Sequence, residues 1–174
     1  MASDILGRIL SLERWIEEVP DFPIKGISFK DISPLLADEK VFRDVVRDMG
    51  SQVEIYPDYW IGIDARGFIF ASALSMYYGG GVVMCRKAGK LPPTVFSHSY
   101  KTEYSEDTIQ IKQGSGMAVI VDDVLATGGT LQAVNDLCQI AGYTVRDNLV
   151  LIDLQYIPRV DNFDLEVKSL IQYE

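Results

Sequence analysis

Met117–Thr130, MAVIVDDVLATGGT, constrains this chain more than any other stretch. Ala118–Val121 is apolar and rich in β-branched residues, the pattern of a parallel strand buried on both faces. The run stops at adjacent carboxylates, Asp122 and Asp123, and a small-residue loop follows, Ala126-Thr127-Gly128-Gly129-Thr130. From Thr130 to Ala141, Leu131, Val134, Leu137, Cys138 and Ala141 recur at helical spacing, so the loop feeds the N-terminus of an amphipathic helix. First-turn amides have no intrahelical partner and glycines admit a close ligand, so the layout predicts an anion site.

The common glycine motifs do not fit, since neither G-x-G-x-x-G nor G-K-[ST] occurs here. Two carboxylates beside a phosphate cradle would repel the ligand unless they serve another part of it. A ribose monophosphate reconciles the two: Ala126–Thr130 would take the 5′-phosphate while Asp122 and Asp123 accept hydrogen bonds from adjacent sugar hydroxyls, directly or through Mg²⁺. The residues alone also allow an ordinary strand–turn–helix with solvated aspartates.

A chain of 174 residues, nearly half of them apolar, predicts one globular domain over residues 1–174. A net charge of −9 argues against nucleic acid or an anionic membrane as partner, because both are bound by clustered Lys and Arg. The N-terminus lacks the pattern of a secretory signal, and no apolar run approaches the roughly 18 residues that cross a bilayer. Cys85 and Cys138 have neither a CxxC neighbour nor a histidine at ligand spacing, which predicts two reduced core thiols and a cytoplasmic protein.

Ile5 to Val19 carries a helical period that Pro20 ends, and Asp21–Pro34 reads as an ordered loop. Helices are predicted from about Asp38 to Ser51 and from Phe68 to Met76, and core strands at Tyr59–Ile63, Gly81–Cys85 and Leu149–Leu154. A short exposed strand is expected around Ile109 and Ile111, and a last one at Val167–Ile171. The stretch from Arg86 to Thr108 has no periodicity and is long enough to be a functional lid. Strands alternating with helices predict a doubly wound, mostly parallel α/β sheet, with ligands outside the carboxyl ends of its strands. Asp64–Gly67 and Asp122–Thr130 both stand at such ends.

Val121–Thr130 resembles the phosphoribosyl-pyrophosphate (PRPP) motif of the type I phosphoribosyltransferases. Asp21-Phe22-Pro23, Phe29–Pro34, Ala65–Phe68, Arg86–Pro92 and Glu103-Tyr104 stand in the order of the adenine-using branch of that family. The resemblance implies transfer of ribose 5-phosphate from PRPP to adenine, with Mg²⁺ carried mainly by the substrate and no dedicated protein metal site. It implies a small N-terminal hood over residues 1–35, with Ser28, Phe29 and Lys30 reading the base, and a flexible lid over residues 86–108 that includes Tyr100 and Tyr104. Ala65, Arg66 and Gly67 would form the pyrophosphate loop, in relatives often with a non-proline cis peptide, and Arg86, Lys87 and Lys90 would add positive charge for the same group. Glu103 and Arg66 are the catalytic candidates, Glu103 as acid/base.

Hypoxanthine- and guanine-using relatives place an aspartate at Ala126, so alanine agrees with adenine. Departures include Lys30 and Ser105, where relatives commonly carry Arg and Gly, and Pro93 after Pro92. His98, the only histidine, reads as an exposed lid residue. The family also implies a homodimer, since the basic segment sometimes serves the neighbouring subunit. The rival readings are a phosphoribosyltransferase for another nucleobase and a PRPP- or nucleotide-sensing regulator without turnover.

Overall fold

The computed structural model describes residues 12–101 and 106–174. It divides into two compact units at Val46/Arg47.

In the first unit, strand β1 (Glu17–Val19) pairs antiparallel with β2 (Phe29–Asp31), Val19 facing Phe29. The helix expected through Val19 therefore does not reach it. Val19 precedes Pro20, whose ring disfavours helical backbone in the residue before it, and the antiparallel pairing supplies the alternative hydrogen bonds. The start of that helix, with Ile5 and Ile9, lies outside the described residues. The loop expected over Asp21–Pro34 likewise contains β2 and the start of helix α1 (Ser33–Ala37), where Asp31 Oδ1 accepts the Ser33 amide at 2.9 Å. Asp38 caps α2 (Glu39–Gly50) by accepting the Val41 amide at 3.0 Å, and α2 leads into the second unit.

The second unit is built on seven strands: β3 (Tyr59–Ile63), β4 (Gly81–Lys87), β5 (Phe96–Lys101), β6 (Glu106–Ile111), β7 (Gly116–Leu125), β8 (Tyr143–Leu154) and β9 (Lys168–Tyr173). Their spatial order is β5-β6-β4-β3-β7-β8-β9. From β4 through β9 every pairing is parallel, and β5 and β6 add an antiparallel hairpin at one edge. The sheet is thus mostly parallel, as expected.

Helices α3 (Gly67–Tyr78) and α4 (Gly129–Ala141) follow β3 and β7. Successive strand residues face opposite sides of a sheet, and β3 uses both. A Cβ on Gly62 would come within 3.0 Å of Gly67 and Phe68 backbone, so α3 packs against that face. On the other face, Ile61 and Ile63 join Ile120, Leu131, Val134 and Leu137 in one buried cluster with α4.

The expected lid stretch contains regular structure. Phe96–Lys101 pairs with Glu106–Ile111, and Ile109 and Ile111 are buried rather than exposed. The alternation at Ile109 and Ile111 is that of a strand, and it records a face turned toward the core beneath α4. His98 is a half-buried strand residue opposite Ile109, not an exposed loop residue.

Candidate active site

Strand order reverses at β3: the chain passes from it to β4 on one side and later to β7 on the other. The crevice beyond such a switch point is where open α/β sheets bind ligands. Here a cleft of about 440 Å³ is lined by Asp64, Ala65 and Arg66 after β3, by Arg86 and Lys87 of β4, and by Asp122, Asp123, Ala126 and Thr130.

Asp122 and Asp123 lie within β7 rather than beyond its end. Pairing with β3 stops at Gly62–Val121, while pairing with β8 runs on through Asp122–Val150 and Val124–Ile152 to Leu125–Asp153. The carboxylates therefore stand on a strand held along one edge only. Burial and their mutual repulsion hold the Asp122 carboxyl well above the usual range. Burial also raises Asp123, with the Arg66 guanidinium opposing the shift. Arg66 Nε is 2.9 Å from Asp123 Oδ2, and that buried oxygen receives no well-formed hydrogen bond. It is a polar atom suited to a hydroxyl donor or a cation.

Gly67 is required by close packing. A Cβ there would sit 2.6 Å from the Val121 carbonyl oxygen, so only glycine lets the turn after β3 lie against β7. The Asp64–Ala65 peptide in this turn is cis.

The cations of the cleft each have an internal carboxylate. Arg86 Nε donates to Asp64 Oδ2 at 3.0 Å, Lys87 Nζ is 3.6 Å from Asp107, and Arg66 faces Asp123. Sequence reasoning missed Asp64 and Asp107 as partners because their proximity depends on the β3–β4 and β4–β6 pairings. An anionic ligand would exchange with these carboxylates instead of meeting unpaired cations. Lys90 is exposed and does not line the cleft.

In the turn between β7 and α4, Gly128 has φ +82°, and a Cβ on it would sit 2.5 Å from the Phe163 ring. Gly129 opens α4 and has ordinary space, with Val160 Cγ1 at 3.6 Å from an added Cβ. Thr127 and Thr130 flank this turn, and the Tyr100 hydroxyl lies 3.1 Å from Thr130 Oγ1. Burial pushes the Tyr100 phenol upward. Cys85 also lines the cleft, and burial pushes its thiol up to about 12, so it is an inert wall residue.

The base-recognition candidates belong to the first unit. Ser28 Oγ donates to the Glu18 carboxylate, buried Lys30 pairs with the same carboxylate at 3.2 Å, and Phe29 meets Phe22 edge-on at 5.1 Å. The Ser28 hydrogen bond first, and then the Lys30 contact, lower the pKa of Glu18. Glu103 and Tyr104 lie outside the described residues. Arg159, which sequence reasoning did not single out, donates to the Ala126 carbonyl in the turn between β7 and α4.

This chain is similar to known proteins in sequence and in fold. The phosphoribosyl transferase domain family matches residues 36–168. An adenine phosphoribosyltransferase of Bdellovibrio bacteriovorus is 44% identical over 165 residues, covering 94% of this chain and 100% of that protein. Among solved structures, the adenine phosphoribosyltransferase of Thermoanaerobacter pseudethanolicus superposes with a TM-score of 0.86 at 37% identity, covering 95% of this chain and 99% of the other. That of Saccharomyces cerevisiae, complexed with an imino-altritol bisphosphate and adenine, gives 0.88 at 27% identity with the same coverage. A matched domain that runs from the end of α1 to the start of β9 and includes the switch-point cleft, and relatives covered from end to end, place the chain in one family: it belongs to the phosphoribosyl transferases and, within them, to the adenine phosphoribosyltransferases.

Proposed function

We propose that this protein transfers the 5-phosphoribosyl group of PRPP to N9 of adenine, releasing pyrophosphate and forming AMP. The observation that carries the reading is the pairing, in one cleft, of a partly unsatisfied carboxylate pair with a helix N-terminus, beside Arg66, Arg86 and Lys87. A ribose bearing phosphate groups at both ends matches that distribution of donors and acceptors.

Ala126–Thr130 hold the 5′-phosphate through backbone amides and the threonine hydroxyls. Asp122 and Asp123 accept hydrogen bonds from the ribose hydroxyls and fix the ring. Ala65, Arg66 and Gly67, with Arg86 and Lys87, stabilise the charge that grows on departing pyrophosphate. Arg66 exchanges Asp123 for that group. Ser28, Phe29 and Lys30 read adenine, and Glu103, arriving with a lid that includes Tyr100 and Tyr104, manages the proton of the base while water is excluded.

Mg²⁺ would be held at this cleft by Asp122 and Asp123 together with the phosphate oxygens of PRPP, and when bound it neutralises phosphate charge. The donor set fits: Asp123 Oδ2 is a buried carboxylate oxygen without a hydrogen-bond donor, and Mg²⁺ bound through substrate phosphates needs few protein carboxylates. We further propose that residues 1–174 act as a single phosphoribosyltransferase domain, that the protein is cytoplasmic, and that it forms a homodimer. Among the described residues no helix is long and apolar enough to cross a membrane.

The test is a panel assay with PRPP, Mg²⁺ and each of adenine, hypoxanthine, guanine, xanthine, uracil and orotate. Turnover of adenine above all others is expected. Comparable turnover of hypoxanthine would overturn the base assignment, and binding of PRPP without any product would favour a sensing role.

A further inference from the structure

The Ala126–Gly128 turn lies between the end of β7 and the start of α4, and residues after β8 hold its outer side. Arg159 Nη1 donates to the Ala126 carbonyl and, at 3.1 Å, to that of Leu154, while Nη2 pairs with the Asp153 carboxylate. The Val160 amide donates to the Thr127 carbonyl at 2.9 Å. The Phe163 ring occupies the space a Cβ on Gly128 would need, and the Arg159 guanidinium lies 6.0 Å from the centre of that ring.

In a trans peptide the C=O and the following N–H point in opposite directions. Anchoring the Ala126 and Thr127 carbonyls on the Arg159–Val160 side therefore turns the Thr127 and Gly128 amides away from it. A small cavity of about 110 Å³ is lined by this turn together with Asp122 and Thr130. Arg159 is itself neutralised by Asp153, so its contribution is orientation rather than charge.

We infer that Arg159 is a positioning residue for phosphoribosyl transfer: with Val160 and Phe163 it braces the Ala126–Gly128 turn so that its amides face the 5′-phosphate. The inference rests on the reading of the cleft given above. A fork that reaches the carbonyls of Ala126, Leu154 and Ile157 and a carboxylate at once is a task for arginine, which lysine performs only in part.

The test uses the full chain with Arg159→Ala, Arg159→Lys and Phe163→Leu, titrated calorimetrically with ribose 5-phosphate and, separately, with pyrophosphate. Arg159→Ala is expected to weaken ribose 5-phosphate by roughly tenfold or more, the scale of a lost charge-assisted hydrogen bond, with pyrophosphate binding nearly unchanged. The KM for PRPP should rise with kcat much less affected, the signature of lost uniform binding. Arg159→Lys should fall between wild type and Arg159→Ala, and Phe163→Leu should move in the same direction by less. Unchanged ribose 5-phosphate affinity in folded Arg159→Ala, or an equal loss for both ligands, would overturn the brace. If Arg159→Ala does not fold, as judged by near-ultraviolet circular dichroism, the other two variants carry the same comparison. A wild-type protein that binds ribose 5-phosphate but makes no AMP would overturn the reaction while leaving the comparison of variants readable.

Discussion

Asp122 and Asp123 place two buried carboxyls side by side, an arrangement that works against stability. Each carboxyl is raised in the folded chain, chiefly by burial. Such a group costs nothing while folded and unfolded states both carry the proton. The cost develops as pH rises above the unfolded value, near ~3.9, through the raised folded one. Asp122→Asn keeps an oxygen able to accept the Asp123 amide, now donated to Asp122 Oδ1 at 2.9 Å, and removes the repulsion. The variant should melt above wild type at pH 8 by about 2–4 °C, or ~1 kcal/mol in a chain of this size, and the gain should vanish as pH falls toward 4. Its PRPP turnover should fall sharply. Thermal melts across pH, with activity measured in parallel, check both; equal melting temperatures at pH 8 would mean that the pair is not under electrostatic stress.

At the scale of elements, the strand–loop–helix from β7 to α4 depends on glycines that do different things. Gly128 combines a positive φ with the Phe163 ring at its back, whereas Gly129 has room for a methyl group. Gly128→Ala should therefore cost roughly 1–2 kcal/mol from backbone strain alone and displace Phe163, weakening AMP. Gly129→Ala, at the start of a helix, should leave stability the same or slightly higher, because alanine favours helix. Denaturant melts and calorimetry with AMP separate the two. Matching losses of stability in both variants would show that the loop responds as a unit and that the contact with Phe163 does not distinguish its glycines.

For the whole molecule, the proposed chemistry needs parts that one strand end cannot supply. Glu103 is the proposed proton-exchanging group, since Ala126 has no ionisable side chain and His98 is a half-buried residue of β5. General acid–base groups contribute about 10²–10⁴-fold, so Glu103→Gln should lower kcat on that order with little change in PRPP affinity. Single-turnover kinetics is the check, and retention of more than roughly a third of wild-type chemistry would reduce Glu103 to a lid residue. The proposed homodimer should appear in light scattering at micromolar concentration as a species of twice the chain mass. A fully active monomer would count against it.

Local pattern determined much of this protein. The β-branched run before Asp122, the helical period from Leu131 to Ala141 and the loop between them are short-range signals, and together they led to the doubly wound sheet and the cleft at its strand ends. Tertiary structure decided what depends on residues distant in sequence. Val19 entered a strand because Phe29 pairs with it, Ile109 and Ile111 were buried because a helix covers that face of β6, and Asp122 and Asp123 stayed within β7 because β8 continues beyond the end of β3. The pairing of Arg86 with Asp64 and of Arg159 with Ala126 left no periodic trace in the sequence. Periodicity reports which face of an element is apolar, whereas an ion pair or a carbonyl anchor depends on one side chain meeting a partner that only the assembled sheet brings near.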